Sequence, residues 1–190
     1  MKKMSSFYTE KELKELGLKH FGENVLISRK CSIYGAENIA VGDHVRIDDF
    51  CILSGSIKIG NYVHIAAYCA LYGKFGIEIG NFCGLSPRCT IFSASDDFSG
   101  EYMISPLVPA ELTNVQGGLV ILENYVQLGA NSTVMTNLTY REGSATGTYS
   151  LVLKDLESWT INIGIPCRRY KDRSKNLIKL AAKKDGLFGR

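Results

Sequence analysis

Residues 41–91 read VGDHVRIDDFCILSGSIKIGNYVHIAAYCALYGKFGIEIGNFCGLSPRCTI. An apolar residue returns at every sixth place: Val41, Ile47, Leu53, Ile59, Ile65 and Leu71, then, after a two-residue insertion, Ile79, Leu85 and Ile91. Self-similarity at a fixed period decides the architecture before local propensity does. A second register runs four residues behind most of these: Val45, Cys51, Ile57, Val63, Cys69, Cys83 and Cys89. A helix would show apolar spacings of three and four instead. On a strand, positions two apart share a face, and each small residue stands two before the next large one. Each unit is therefore a short strand with one large and one small side chain turned inward. The residue after the large one is small or polar, as in Gly42, Asp48, Ser54, Gly60, Ala66 and Gly80, which suits a tight corner. Three units make one coil. Coils stacked ~4.8 Å apart, as neighbouring strands are, bury an interior that one coil alone leaves open.

The period reaches back through Phe21, Ile27 and Ile33, with an insertion at Gly35 to Ile39. It resumes at Leu122, Leu128, Val134, Tyr140, Thr146 and Val152, for about six triangular coils. Between Ile91 and Leu122 it vanishes; residues 93–119 hold Asp96, Asp97, Gly100, Pro106, Pro109, Gly117 and Gly118. A break of that length in a regular fold is functional or disordered. Upstream, Thr9 and Glu12 form a capping box and Gly17 a stop, so residues 9–16 are expected to be a helix laying Leu13 and Leu16 over the open end. Downstream, residues 164–168 form a turn and residues 172–184 are expected to be helical. The expected organisation is a helical cap over 1–20, the solenoid over 21–170 with its excursion at 93–119, and a basic tail over 171–190.

No apolar run approaches the eighteen residues of a membrane span, and the first ten residues carry Lys2 and Lys3 without the apolar core of a secretory signal. The net charge of +3 is uneven: residues 168–190 hold nine Lys and Arg against Asp172 and Asp185. A solvated face explains most of that charge, and only Tyr170 and Phe188 supply aromatics beside it, so no nucleic-acid partner is expected. Of six cysteines, Cys31, Cys51, Cys69 and Cys89 occupy the same place in successive coils and should form one interior column. Reduced, structural thiols and a cytoplasmic location follow. No Cys-x-x-Cys spacing supports a zinc ribbon.

The repeat resembles that of the hexapeptide-repeat acyltransferases, whose fold is a left-handed parallel β-helix. The handedness comes from the resemblance, because parallel crossovers are ordinarily right-handed. The loop after the fourth coil and the closing Gly-x-Pro-Cys-Arg of residues 164–168 are similar to the sugar acetyltransferases of that family. With Phe7-Tyr8-Thr9 and the run from Ser95 to Gly100, the chain looks like the bacterial nucleotide-sugar acetyltransferases of surface-polysaccharide synthesis. The resemblance implies acetyl-CoA as co-substrate and no metal. It also implies a homotrimer with each site between two subunits, for which the sequence adds only outward apolar residues such as Tyr62 and Phe82. The pantetheine arm would lie along Gly129, Ala130, Gly147 and Thr148, with Arg168 and Lys171 meeting the nucleotide phosphates.

In the sugar O-acetyltransferases the loop carries a histidine as general base; here Asp96 stands in its place. A sugar hydroxyl needs a base to take its proton, and a carboxylate is a weak one unless its surroundings raise its pKa. An amine is nucleophilic once deprotonated. The expected acceptor is therefore the amino group of a dTDP-type amino-dideoxy sugar, with Asp96 as catalytic group and Asp97 binding substrate. For Asp96 and Asp97 together an Asx-type turn is the competing role. His64, pointing outward one coil earlier, is the second catalytic candidate. The alternatives are an O-acetyltransferase of the galactoside or maltose type and a non-enzymatic scaffold. The γ-type carbonic anhydrases share the coil, but His20, His44 and His64 do not supply a converging three-histidine zinc site.

Overall fold

In the computed structural model, which describes residues 6–182, all nine large residues of the period are at most 3 % exposed, and so are the seven small ones. The chain winds as a left-handed parallel β-helix with three flat sides. One side carries His20–Phe21, Ile39–Val41, residues 57–59, residues 77–79, Val120–Leu122 and Thr139–Tyr140. The second carries Leu26–Ile27, Arg46–Ile47, His64–Ile65, Gly84–Leu85, Gln127–Leu128, Ala145–Thr146 and Thr160–Ile163. The third carries Ser32–Tyr34, residues 52–54, residues 70–72, Thr90–Phe92, Thr133–Val134 and Leu151–Val152. Six full coils therefore stand as expected, and Leu156 to Ile163 add part of a seventh.

The insertion between Leu71 and Ile79 is absorbed at one corner. There Gly55 pairs with Gly73 but Ile57 with Ile77, and both neighbouring coils regain register at once. The excursion behaves in the same way. Ile91 pairs with Val134 and Ile79 with Leu122, so residues 93–119 leave and rejoin without disturbing the stack.

Corners repeat as strictly as sides. Asp43, Asn61, Asn81 and Asn124 each accept, through Oδ1, a main-chain N–H of the preceding coil at 2.7–2.8 Å. His44, Tyr62, Phe82 and Tyr125 all take positive φ between 56° and 63°, a conformation uncommon outside glycine. Their rings stack in sequence at 4.6, 5.0 and 5.3 Å, contacts that offset the strain. Tyr62 and Phe82, read from sequence as outward apolar residues, thus cover one another within the chain.

The cysteine column is present, and all six thiols are free. Its interior role is not purely apolar. Cys31, Cys51, Cys69 and Cys89 donate to the carbonyls of Asp48, Ala66, Ser86 and Gly129 at 3.1–3.2 Å. In the next coil the Ser132 hydroxyl takes over, donating to the Gly147 carbonyl at 3.1 Å. Burial pushes the separate Cys83 thiol up to about 12.

Both ends are closed. Helix α1 (Glu10–Glu15) has the expected capping box and buries Leu13. Arg29 bonds both Glu12 oxygens at 2.6 Å, and together with the Thr9 bonds it holds the Glu12 carboxyl down to about 2. At the other end the expected helix over 172–184 starts late. Arg168–Asp172 is instead an antiparallel strand on Thr160–Ile163, and helix α2 is Asn176–Ala182; residues 183 and 184 lie outside the described part. The strand continues because the last parallel edge would otherwise stand unpaired. Arg173 then donates to the carbonyls of Tyr125 and Gly143 at 2.7 and 2.9 Å.

Leu71 lies fully buried between Leu53 and Ile91 of adjacent coils. Leu71→Ala should lower the unfolding free energy by about 2–5 kcal/mol, read from urea denaturation.

Candidate active site

The excursion leaves the third side at Ser93, a fully buried residue whose Oγ donates to the Tyr72 carbonyl and accepts the Phe75 N–H. Ala94–Ser95 then pairs antiparallel with Gln116–Gly117, closing the neck of the loop. Just beyond that neck, Asp96 lines a cavity of about 690 Å³ together with Lys74, Phe92, Phe98, Val108 and Met135. The walls are mainly apolar, with Lys74, Asp96 and the hydroxyls of Ser95, Ser105 and Thr113 as polar groups. Asp96 is exposed and its carboxylate has no hydrogen-bond partner among the described residues.

Its neighbour has a different part. Asp97 Oδ1 accepts the Ser99 N–H at 2.7 Å and Oδ2 accepts Asn114 Nδ2 at 2.7 Å, tying the two limbs of the loop. The bonds from Ser99 and Asn114 hold its carboxyl below the ordinary value. This is the Asx-turn role weighed from sequence for both aspartates, and of the two only Asp97 takes it.

His64 lies elsewhere. Its Nε2 meets Asp48 Oδ2 at 2.8 Å, and Arg46 Nε bonds the other oxygen of the same carboxylate at 2.7 Å. It lines a second, smaller cavity of about 340 Å³ with Ser86, Gly84 and Gln127. The two catalytic candidates are therefore in separate cavities of one chain.

Of the cofactor candidates, Gly129, Gly147 and Arg168 fall into one row, while Lys171 pairs with Ile161, two positions before Ile163. Along the rim of the second side, Ala66, Ser86, Gly129, Gly147 and Ile163 are successive register mates, and Arg168 pairs with Ile163 beyond them. A Cβ on Gly129 would come 2.4 Å from the Gly147 carbonyl carbon, so close backbone approach requires glycine there. Ala130 is half-buried and Thr148 exposed beside this row. Arg168 and Lys171 are exposed on the same antiparallel strand.

Ser86 and Gln127 were not singled out from the sequence. Ser86 follows Leu85 as Asp48 follows Ile47, so its signal was hidden in the corner pattern; its place between Ala66 and Gly129 in the rim would have found it. Gln127 precedes Leu128 on an outward strand position, which has no signal of its own. Among the described residues no three His, Cys, Asp or Glu are grouped to hold a metal ion, and no helix is long and apolar enough to cross a membrane.

A three-sided parallel solenoid, a loop that breaks from its fourth coil and a rim of glycines ending in exposed arginine define a hexapeptide-repeat acyltransferase. A dTDP-4-amino-4,6-dideoxy-D-glucose acyltransferase of Escherichia coli is 43 % identical over 178 residues, 92 % of this chain and 93 % of that protein. Chain and relative thus match nearly end to end, and the chain belongs to this family, in its nucleotide-amino-sugar branch. A serine-to-cysteine mutant of AntD, an N-acyltransferase from Bacillus cereus, solved with dTDP-4-amino-4,6-dideoxyglucose and coenzyme A, superposes with a TM-score of 0.92 at 45 % identity, over 95 % of this chain and 97 % of that one. A hexapeptide-repeat acetyltransferase of Vibrio cholerae, solved with acetyl-CoA, shares the fold at 19 % identity and a TM-score of 0.56, over 86 % of this chain and 75 % of that one. No family model matches the chain.

Because the folded Asp97 carboxyl titrates below its unfolded value, its contribution is complete above about pH 4 and is lost as pH falls through the lower folded value. Protection factors of the amides in residues 97–114, corrected for the intrinsic exchange rate at each pH, should therefore fall on acidification below that range, and Asp97→Ala should show the lower protection already at neutral pH.

Proposed function

We propose that the chain transfers an acyl group, acetyl in the first instance, from acyl-CoA to the amino group of a dTDP-linked 4-amino-4,6-dideoxy sugar, in surface-polysaccharide synthesis. One observation carries this reading beyond overall similarity. AntD has been solved as variants of one serine and one aspartate that lie ten positions apart, and Ser86 and Asp96 here have the same separation. Asp96 lines the first of the two cavities described above and Ser86 the second.

In this reading the free amine attacks the thioester carbonyl directly. The new C–N bond forms, the C–S bond breaks, and the electron pair leaves on the CoA sulfur. Asp96 holds the attacking amine and takes or relays its proton. The apolar walls around it seat the sugar and its nucleotide, and Lys74 offers a cation to the diphosphate. A carboxylate in place of imidazole suits an amine acceptor better than a hydroxyl. Cys83 and the column thiols are interior and take no covalent part.

The rim supplies the cofactor groove. From Ser86 through Gly129, Gly147 and Ile163 to Arg168 is four strand spacings, roughly 19 Å, a distance an extended pantetheine arm covers. The thioester would lie at the Ser86 end and the nucleotide phosphates at Arg168 and Lys171. AntD is also known with 3-hydroxybutyryl-CoA, so a longer acyl group belongs in the assay.

Ser86 precedes and Asp96 follows the strand Thr90–Phe92, so they stand at opposite edges of one prism side, roughly 15 Å wide. A single reacting centre touches both where two copies abut, which supports a homotrimer with its sites between subunits. Leu107 and Phe98, 93 % and 81 % exposed on the loop, are available for that contact. Six free thiols and an acyl-CoA donor fit a reducing compartment, the cytoplasm.

Asp96→Asn should lower kcat about 10²–10⁴-fold with the amino sugar and acetyl-CoA, followed by free-thiol release, while calorimetric CoA affinity stays unchanged. Full turnover in that variant would remove Asp96 from the mechanism. Light scattering should give the mass of three 21.0 kDa chains, and Leu107→Glu should reduce it; a wild-type monomer that still turns over would exclude the intersubunit site.

A further inference from the structure

Gln127 and Gly84 sit opposite each other on adjacent coils of the second side. Gln127 Nε2 donates to Ser86 Oγ at 3.2 Å and to the Leu128 carbonyl at 3.2 Å. Its Oε1 occupies the space above Gly84, where a Cβ would lie only 2.3 Å away. The amide is therefore laid flat over a bare stretch of backbone, and both of its Nε2 bonds set which end points at Ser86. The Ser86 main chain is held just as firmly: its N–H donates to the Leu128 carbonyl at 3.0 Å and its carbonyl accepts the Cys69 thiol at 3.2 Å.

A serine hydroxyl has one hydrogen to donate and two lone pairs. With one lone pair engaged by the Gln127 N–H, the Ser86 O–H is left to donate, and the open direction is the cavity it shares with His64. Resting on the function proposed above, we infer that Gln127 is a positioning residue that makes Ser86 a hydrogen-bond donor to the thioester carbonyl, and that Gly84 is glycine to leave room for it. A donor fixed before reaction stabilises the oxyanion that develops on that carbonyl as the amine attacks. The proton stays on Ser86 throughout, and no covalent bond forms to it. His64 is not the donor's partner, because its Nε2 is committed to Asp48.

Three variants test this. Gln127→Glu keeps the shape but replaces the donor with a carboxylate, which draws the Ser86 O–H inward. Gly84→Ala leaves Gln127 in place and displaces its amide. Each should lower kcat about 10- to 100-fold while the affinity for free CoA, which lacks the carbonyl, changes less than about twofold, and the double variant should be no worse than Gln127→Glu alone, since both act through one bond. Melting temperature and CoA affinity separate this from misfolding. A second readout needs no turnover: wild type should bind acetyl-CoA more tightly than S-ethyl-CoA, which lacks the carbonyl, and Gln127→Glu should bind the two alike. Wild-type kcat in Gln127→Glu, additive losses in the double variant, or equal wild-type affinities for the two thio-compounds would overturn the proposal. A wild-type protein that prefers acetyl-CoA yet acylates no amino sugar would instead refute the acceptor assignment and leave the Gln127–Ser86 arrangement standing.

Discussion

Every feature of this chain depends on large aliphatic side chains resting on their counterparts one coil away. Leu53, Leu71 and Ile91 form one such line, and Ile47, Ile65 and Leu85 another. No coil can shelter its own interior, so burial is a property of the stack. The hydrophobic gain recurs at every strand spacing and is lost in a block if one coil slips, because a one-residue shift would turn the inner faces outward. The period is strict for that reason, and departures are confined to corners.

The corners explain how so repetitive a structure acquires a site. An extra residue within a side would break the ladder on both neighbouring coils, whereas one at a corner only bulges outward. The short insertion at residues 74–76 and the long one at 93–119 both obey this rule. The second is large enough to enclose a cavity, and it is anchored where a buried serine and a two-stranded neck can hold it against the rigid prism. The candidate site thus sits on an irregular loop, with its placement supplied by the regular part.

The interior contributes more than packing. Thiols and the hydroxyls of Ser132 and Ser150 bond to the carbonyls of a single rim, from Asp48 to Gly147. All but Asp48 belong to the row of Ala66, Ser86, Gly129 and Gly147, so the core fixes the shape of that rim from within. The choice of cysteine over valine in this column follows: it fills a similar volume and still provides a weak donor.

The spacing of Val41 to Ile91 by itself determined the strand length, the inward faces, the coil size and the place of the excursion, since burial leaves its mark on every sixth residue. Asp96 was reached differently, through the resemblance to the sugar acetyltransferases, which places it where their loop histidine stands. Only the tertiary structure decided that Asp97 ties the loop, that His64 is engaged with Asp48, that the chain extends into a partial seventh turn, and that residues 168–172 form a closing strand. The pairing of Ser86 with Gln127 was likewise beyond the sequence. The two are 41 positions apart, and the contact between them exists because the coil brings distant residues within one strand spacing, a neighbourhood that no local pattern encodes.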